Sequence, residues 1–144
     1  MGLFAALAFA FAGALQAAPA PTVPPRPMVV VREADVRVVQ SPPPHDGVGE
    51  STAFRLSDAA PGRNFEFRKR ILHRGASIGL HVLSHDEVYY VVSGQGEVAS
   101  DGRVETIGPE TAAYLYDGAD VGIKQVGDED LILIIAYPLA HRTP

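Results

Sequence analysis

Gly75-Ala76-Ser77-Ile78-Gly79-Leu80-His81-Val82-Leu83-Ser84-His85-Asp86-Glu87-Val88-Tyr89-Tyr90-Val91-Val92-Ser93-Gly94-Gln95-Gly96 is the most specific stretch of the chain. Two segments rich in apolar and β-branched residues flank a short polar corner, Ser84-His85-Asp86, and glycines stand at both ends. That pattern spells strand, tight corner, strand and hairpin turn. His81 and Glu87 interrupt otherwise apolar segments, and a carboxylate opening the run Val88–Val92 is costly to bury unless paired. Glu87 therefore calls for a partner such as His81, Arg68, Arg70 or a cation.

Outward from this stretch the same texture continues. Phe-Glu-Phe-Arg-Lys-Arg-Ile-Leu (residues 65–72) alternates Phe65, Phe67 and Ile71 against Glu66, Arg68 and Arg70. A charged strand face of this kind is ordinarily solvated, although two arginines could also meet a substrate carboxylate. Turn signals at Asp101-Gly102, Gly108-Pro109, Asp117-Gly118 and Gly127-Asp128 separate further short β-type runs. Leu131–Tyr137 is apolar on both parities, which predicts a central strand covered on both faces and ended by Pro138. Upstream, Val29–Val39 predicts a first edge strand, Ser41–Gly49 a loop, and Ser51–Leu56 a short stretch mixing polar and apolar residues. With no helical period after residue 20, the chain is predicted all-β.

At 144 residues, 47% apolar and 20% charged, the chain has the size and composition of one globular domain. A net charge of −5 without a basic cluster argues against nucleic acid or an anionic membrane as partner. The absence of cysteine excludes thiolate metal sites, disulfides and a cysteine nucleophile. Residues 1–20 carry no charge and hold an apolar run from Leu3 to Leu15 followed by small residues. They predict a signal peptide, too short in its apolar run for the roughly 20 residues that span a bilayer. The expected organisation is thus a signal peptide at 1–20, a Pro-rich linker at 21–27, a domain at 28–140 and a tail at 141–144. The protein is expected to be secreted or periplasmic, with no membrane association after cleavage.

Gly75, His81, Glu87 and Gly94 fall on the spacing of the first conserved motif of the cupin superfamily, and the chain resembles a small single-domain cupin. Leu83 stands where the motif has its second His. In the segment that resembles the second motif, Gly118 is kept while Tyr116, Val121 and Gln125 take the positions of Pro, His and Asn. The resemblance implies a double-stranded β-helix, the cupin jelly-roll barrel, with a pocket between its sheets. It also implies a homodimer, and a metal held in typical members by three His and one Glu. With two of those ligands apolar here, the expected cofactor is none or a weakly bound divalent metal, and His81, His85 and Glu87 are the candidate ligands.

The pocket is expected to bind a small polar molecule, a sugar or a carboxylate, through His81, Glu87, Tyr89 and Gln125. Tyr89 shares the parity of Glu87, and Gln125 that of Val121 and Ile123. Enzymatic activity is left open. His81 as base with Tyr89 or Tyr116 as acid would suit a sugar isomerase or epimerase, and His81, His85 and Glu87 a metal-dependent reaction. A structural domain with a vestigial pocket is the remaining alternative. His85 and Asp86 also suit a solvated turn, and His45, His73 and His141 have no spacing argument behind them.

Overall fold

Strands that alternate in polarity and are joined by tight turns pair with their sequence neighbours, and the Asp101-Gly102 turn shows how. Both residues lie at positive φ, 47° and 81°, the type I′ geometry whose twist matches that of the flanking strands. In the computed structural model, which describes residues 25–140, this turn joins β6 (Gln95–Ser100) to β7 (Arg103–Ile107). The other strands are β1 (Arg37–Gln40), β2 (Ser51–Arg55), β3 (Phe65–Leu72), β4 (Ser77–Val82), β5 (Glu87–Ser93), β8 (Ala112–Leu115), β9 (Asp120–Val126) and β10 (Leu131–Pro138). They form two antiparallel sheets, one of six strands in the order β1-β2-β3-β10-β5-β8 and one of four in the order β4-β9-β6-β7. The chain crosses repeatedly between them, as expected of a double-stranded β-helix. No helix among the described residues is long and apolar enough to cross a membrane.

The sheets face each other across a core that includes Leu72, Val91, Val121, Leu131 and Leu133, all fully buried. Each such side chain contributes about 1.5–3 kcal/mol through burial. Leu83 and Val121, at two of the positions where the family motif has His, belong to this core.

Four expectations need correction. The edge strand expected at Val29–Val39 shrinks to Arg37–Gln40, because Glu33–Asp35 closes a 3₁₀ turn whose amides bond back to Arg32 and Glu33. The segment at Ser51 is a full strand lying between β1 and β3. β10 is central in its sheet, but only Leu131, Leu133 and Ile135 are fully buried, while Ile132, Ile134 and Ala136 are half-covered. The fourth correction concerns β3, where Phe65 and Phe67 point outward and Glu66, Arg70 and Leu72 are buried. The register forces this. Leu72 pairs with Leu131 of β10 and Arg70 with Leu133, so turning Leu72 into the core carries the charged face in with it. The signal-peptide assignment and the tail lie outside the described residues, as does most of the Pro-rich segment.

The loop between β1 and β2 folds over the outer edge of β4. Ser77 donates its amide to the Val48 carbonyl, and its Oγ accepts from the Val48 amide at 3.1 Å. At Gly79 the two backbones nearly touch: a Cβ there would stand 1.9 Å from the His45 carbonyl oxygen. Only glycine permits that approach. Gly79→Ala is expected to lower stability by about 1–3 kcal/mol, as overpacking against backbone does. Urea unfolding checks this, and an unchanged midpoint would show that the loop has no fixed seat on β4.

Candidate functional site

The inner face of the six-stranded sheet grades from apolar to charged. Register places Leu72 beside Leu131, then Arg70 beside Leu133 and Val91, then Arg68 beside Ile135 and Tyr89. Beyond these Glu66 lies beside Tyr137, with Glu87 continuing the row on β5. Opposite, β4 contributes Ile78 and His81, and Leu83 follows just past its end. A regular strand would put Ile78 and His81 on opposite faces, but the pairing with β9 slips between them, and this bulge turns both toward the interior. The result is a cavity of about 180 Å³ lined in part by His45, Arg68, Arg70, His81, His85, Glu87, Tyr89 and Tyr137.

His45 closes one side. It and Asp46 sit at φ 60° and 55°, a left-handed conformation that His and Asp tolerate better than most residues and that the backbone contacts of the loop hold in place. The His45 ring stacks on His81 with centroids 3.6 Å apart. Burial pushes the His45 pKa below the ordinary imidazole value, and the neighbouring His81 and Arg70 add to the effect. His81 Nδ1 is 3.0 Å from the Gly79 carbonyl oxygen, which can only accept, so Nδ1 carries the proton and Nε2 is left as a base in the neutral ring.

The carboxylates divide in role. Glu66, 2% exposed, accepts from Arg68 Nε at 3.2 Å and from Arg63 Nη2 at 3.4 Å, and is therefore neutralised. Among the described residues Glu87 has no arginine or lysine within ion-pair distance, only His85 Nδ1 at 3.7 Å. Burial raises its pKa, and His85, Arg68 and His81 offset part of that rise. Tyr89, almost wholly buried, is driven far above the ordinary phenol value by burial and then by the Glu87 carboxylate as charge and hydrogen-bond acceptor. It holds its proton at any physiological pH and serves as a donor. Tyr137 accepts a short hydrogen bond from Arg68 Nη2, and its ring stacks on His85 at 4.0 Å.

Arg70 is 3% exposed. Its Nη1 donates to Gln40 Oε1 at 2.7 Å and to Ser51 Oγ at 2.8 Å, while Nε is buried with no partner. Burial, with Arg68 close by, brings its pKa down to about 10, so it stays charged at neutral pH. An uncompensated buried ion costs several kcal/mol, and two charge-assisted bonds to neutral acceptors return about 1.5–3 kcal/mol each. Those bonds offset much of the cost, but among the described residues no carboxylate pairs with Arg70.

Of the residues singled out from the sequence, His81, His85, Glu87 and Tyr89 meet on one cavity. Gln125 does not join them. Its amide is spent on the Gly75 amide and on the carbonyls of Val126, Gly127 and Glu129, which makes it a clamp on neighbouring turns. Tyr116 is 68% exposed and packs against Tyr114 on the outside. Asp86 is tied to the Tyr114 hydroxyl and the Asp117 amide, and His73 to Thr52 and Asp130. His141 lies outside the described residues. Among the described residues no group of three His, Asp or Glu side chains converges as a metal-ligand set, and the donors at hand do not fit a four-ligand cupin metal. Sequence reasoning missed His45 and Tyr137 and discounted Arg68 and Arg70. Tyr137 shares the parity of Leu131, Leu133 and Ile135, and the arginines share that of Leu72, so both signals were available.

No protein-family model matches the chain. Over 120 residues it is 36% identical to an L-ectoine synthase from Teredinibacter turnerae, covering 82% of this chain and 86% of that protein. The chain belongs to the cupin superfamily. Among solved structures this cupin superposes on a predicted oxalate decarboxylase from Thermotoga maritima with a TM-score of 0.68 and 26% identity, over 78% of this chain and 99% of that one. An RmlC-like cupin from Shewanella frigidimarina shares the fold, with a TM-score of 0.55 and 22% identity over 64% and 78% of the two chains. The cupin thus has relatives named as enzymes.

Because the Glu87 pKa is raised on folding, its contribution to stability is complete below the ordinary value of 4.5 and is lost as pH rises through the raised folded value. Glu87→Gln removes that loss. In thermal unfolding, the variant is expected to melt above wild type at pH 7, with the difference shrinking toward pH 4.5. A difference that does not change with pH would contradict the assignment.

Proposed function

We propose that this cupin binds a small polar organic molecule, a sugar or a carboxylate, in the cavity between its sheets and acts on it by proton transfer, with metal weak or absent. The observation that carries this reading is Glu87, a buried carboxyl of raised pKa that faces the imidazoles of His81 and His85 across a cavity. Carboxyl groups tuned upward beside a base are what proton transfer near neutral pH requires. Glu87 is the proton donor or acceptor, His81 Nε2 the second base, and Tyr89 the hydroxyl that positions Glu87. A cavity of about 180 Å³ suits a molecule of roughly benzene's size or a little larger. The relatives named as a synthase and a predicted decarboxylase support catalysis over passive binding. The leader-like run Leu3–Leu15 supports a secreted or periplasmic location.

Thermal shift over small sugars and organic acids is expected to find stabilising ligands. With any such ligand that bears a hydrogen next to a carbonyl, solvent deuterium is expected to enter at that carbon in wild type. Glu87→Gln should bind comparably but exchange at least about 100-fold more slowly. No stabilising ligand, or equal exchange in the variant, would remove the reading. Elemental analysis of protein purified without metal-affinity steps is expected to give substoichiometric metal. Stoichiometric Fe, Mn, Ni or Zn that is lost in His81→Ala would instead favour a metal centre built on His81, His85 and Glu87.

A further inference from the structure

We infer that Arg70 anchors a carboxylate group of the pocket's ligand, which makes the ligand class a small organic acid and not a neutral sugar; this rests on the cavity being a binding site at all. Arg70 lines the cavity from deep in the sheet and is almost fully buried. One end of its guanidinium is committed, since Nη1 serves both Gln40 and Ser51. Nε is shut off from the cavity without a partner, and among the described residues Nη2 bonds no protein group, which leaves Nη2 as the nitrogen open to a ligand. Nη2 can donate to one oxygen of a carboxylate while the guanidinium supplies the positive charge that the carboxylate needs.

The surrounding charges point the same way. Neighbouring Arg68 has its own counter-charge in Glu66, and Arg55 is paired with Asp58 at 3.6 Å. No Asp or Glu among the described residues pairs with Arg70, and Glu87, the other carboxyl on the cavity, is turned to His85. A neutral sugar hydroxyl would satisfy the hydrogen bond and leave the charge uncompensated. A carboxylate satisfies both, and places the rest of a small molecule toward Glu87 and His81.

The test uses the full-length protein with acetate and malonate as probes, acetamide and malonamide as their neutral counterparts, and glucose. The Arg70 Nε–H resonance, identified by its loss in Arg70→Lys, is followed by 15N NMR alongside melting temperature. The acids are expected to raise the melting temperature and move that resonance, and the amides to do neither. Arg70→Lys, which keeps a positive charge but loses the Nη2 donor, is expected to weaken acid binding about tenfold or more. Should the variant fail to fold, its wild-type counterpart still decides through the comparison of acids with amides. Acids and amides acting equally, or acids binding with the Arg70 resonance unmoved, would overturn the assignment. Glucose binding without acid binding would overturn it and leave the pocket standing, while silence across the panel would remove both.

Discussion

Once the register of β3 against β10 turns Leu72 into the core, Glu66, Arg68 and Arg70 must enter with it, and much of the site follows from accommodating those charges. Charge taken out of water has to be met by opposite charge or by hydrogen bonds. Glu66 meets Arg68 and Arg63; Tyr137 takes the far end of Arg68; Ser51 and Gln40 reach Arg70 from β2 and β1. The edge strand β1 and its neighbour β2 thus both support one guanidinium. The cavity exists because apolar packing stops where these groups begin.

The facing sheet solves a different problem. His81 has to share an interior with Ile78, from which it is an odd number of residues away, and a strand of strict period two cannot do that. The bulge across Gly79-Leu80 supplies the extra residue, and the missing side chain at Gly79 lets the β1–β2 loop settle against β4 closely enough to stack His45 on His81. One glycine therefore serves both the direction of a pocket base and the position of its cover.

Much of this was legible beforehand. The glycine turns and the resemblance carried by Gly75, His81, Glu87 and Gly94 implied the jelly roll, and Glu87 and Tyr89 share one interior because parity along β5 is unbroken, while His81 joins them through the bulge in β4. Parity failed on β3, where residues 65–72 offer two faces each with an apolar claim and only the partner strand decides which turns inward. His45 could not have been found, since residues 42–49 have no period and its place depends on a tertiary contact. Gln125 was correctly read as buried, but its surroundings are turns with open carbonyls, and a primary amide goes where acceptors are. Leu83 and Val121 carried the clearest message, that half of a familiar ligand set has become core.

Gln40 and His45 belong to one edge of the molecule, β1 and the loop that follows it, and Ser51 to the strand just inside that edge. β1 is exposed along most of its length, whereas β2 is buried from Ser51 to Phe54, so β1 and the loop are the part able to open without global unfolding. Opening that part would uncover the cavity on the His45 side and take Gln40 from Arg70 while Ser51 stays in place. By linkage, whatever completes the hydrogen bonding of Arg70 also fastens that edge, so the occupied and empty states differ in how tightly the N-terminal border of the barrel is sealed as well as in what the cavity contains.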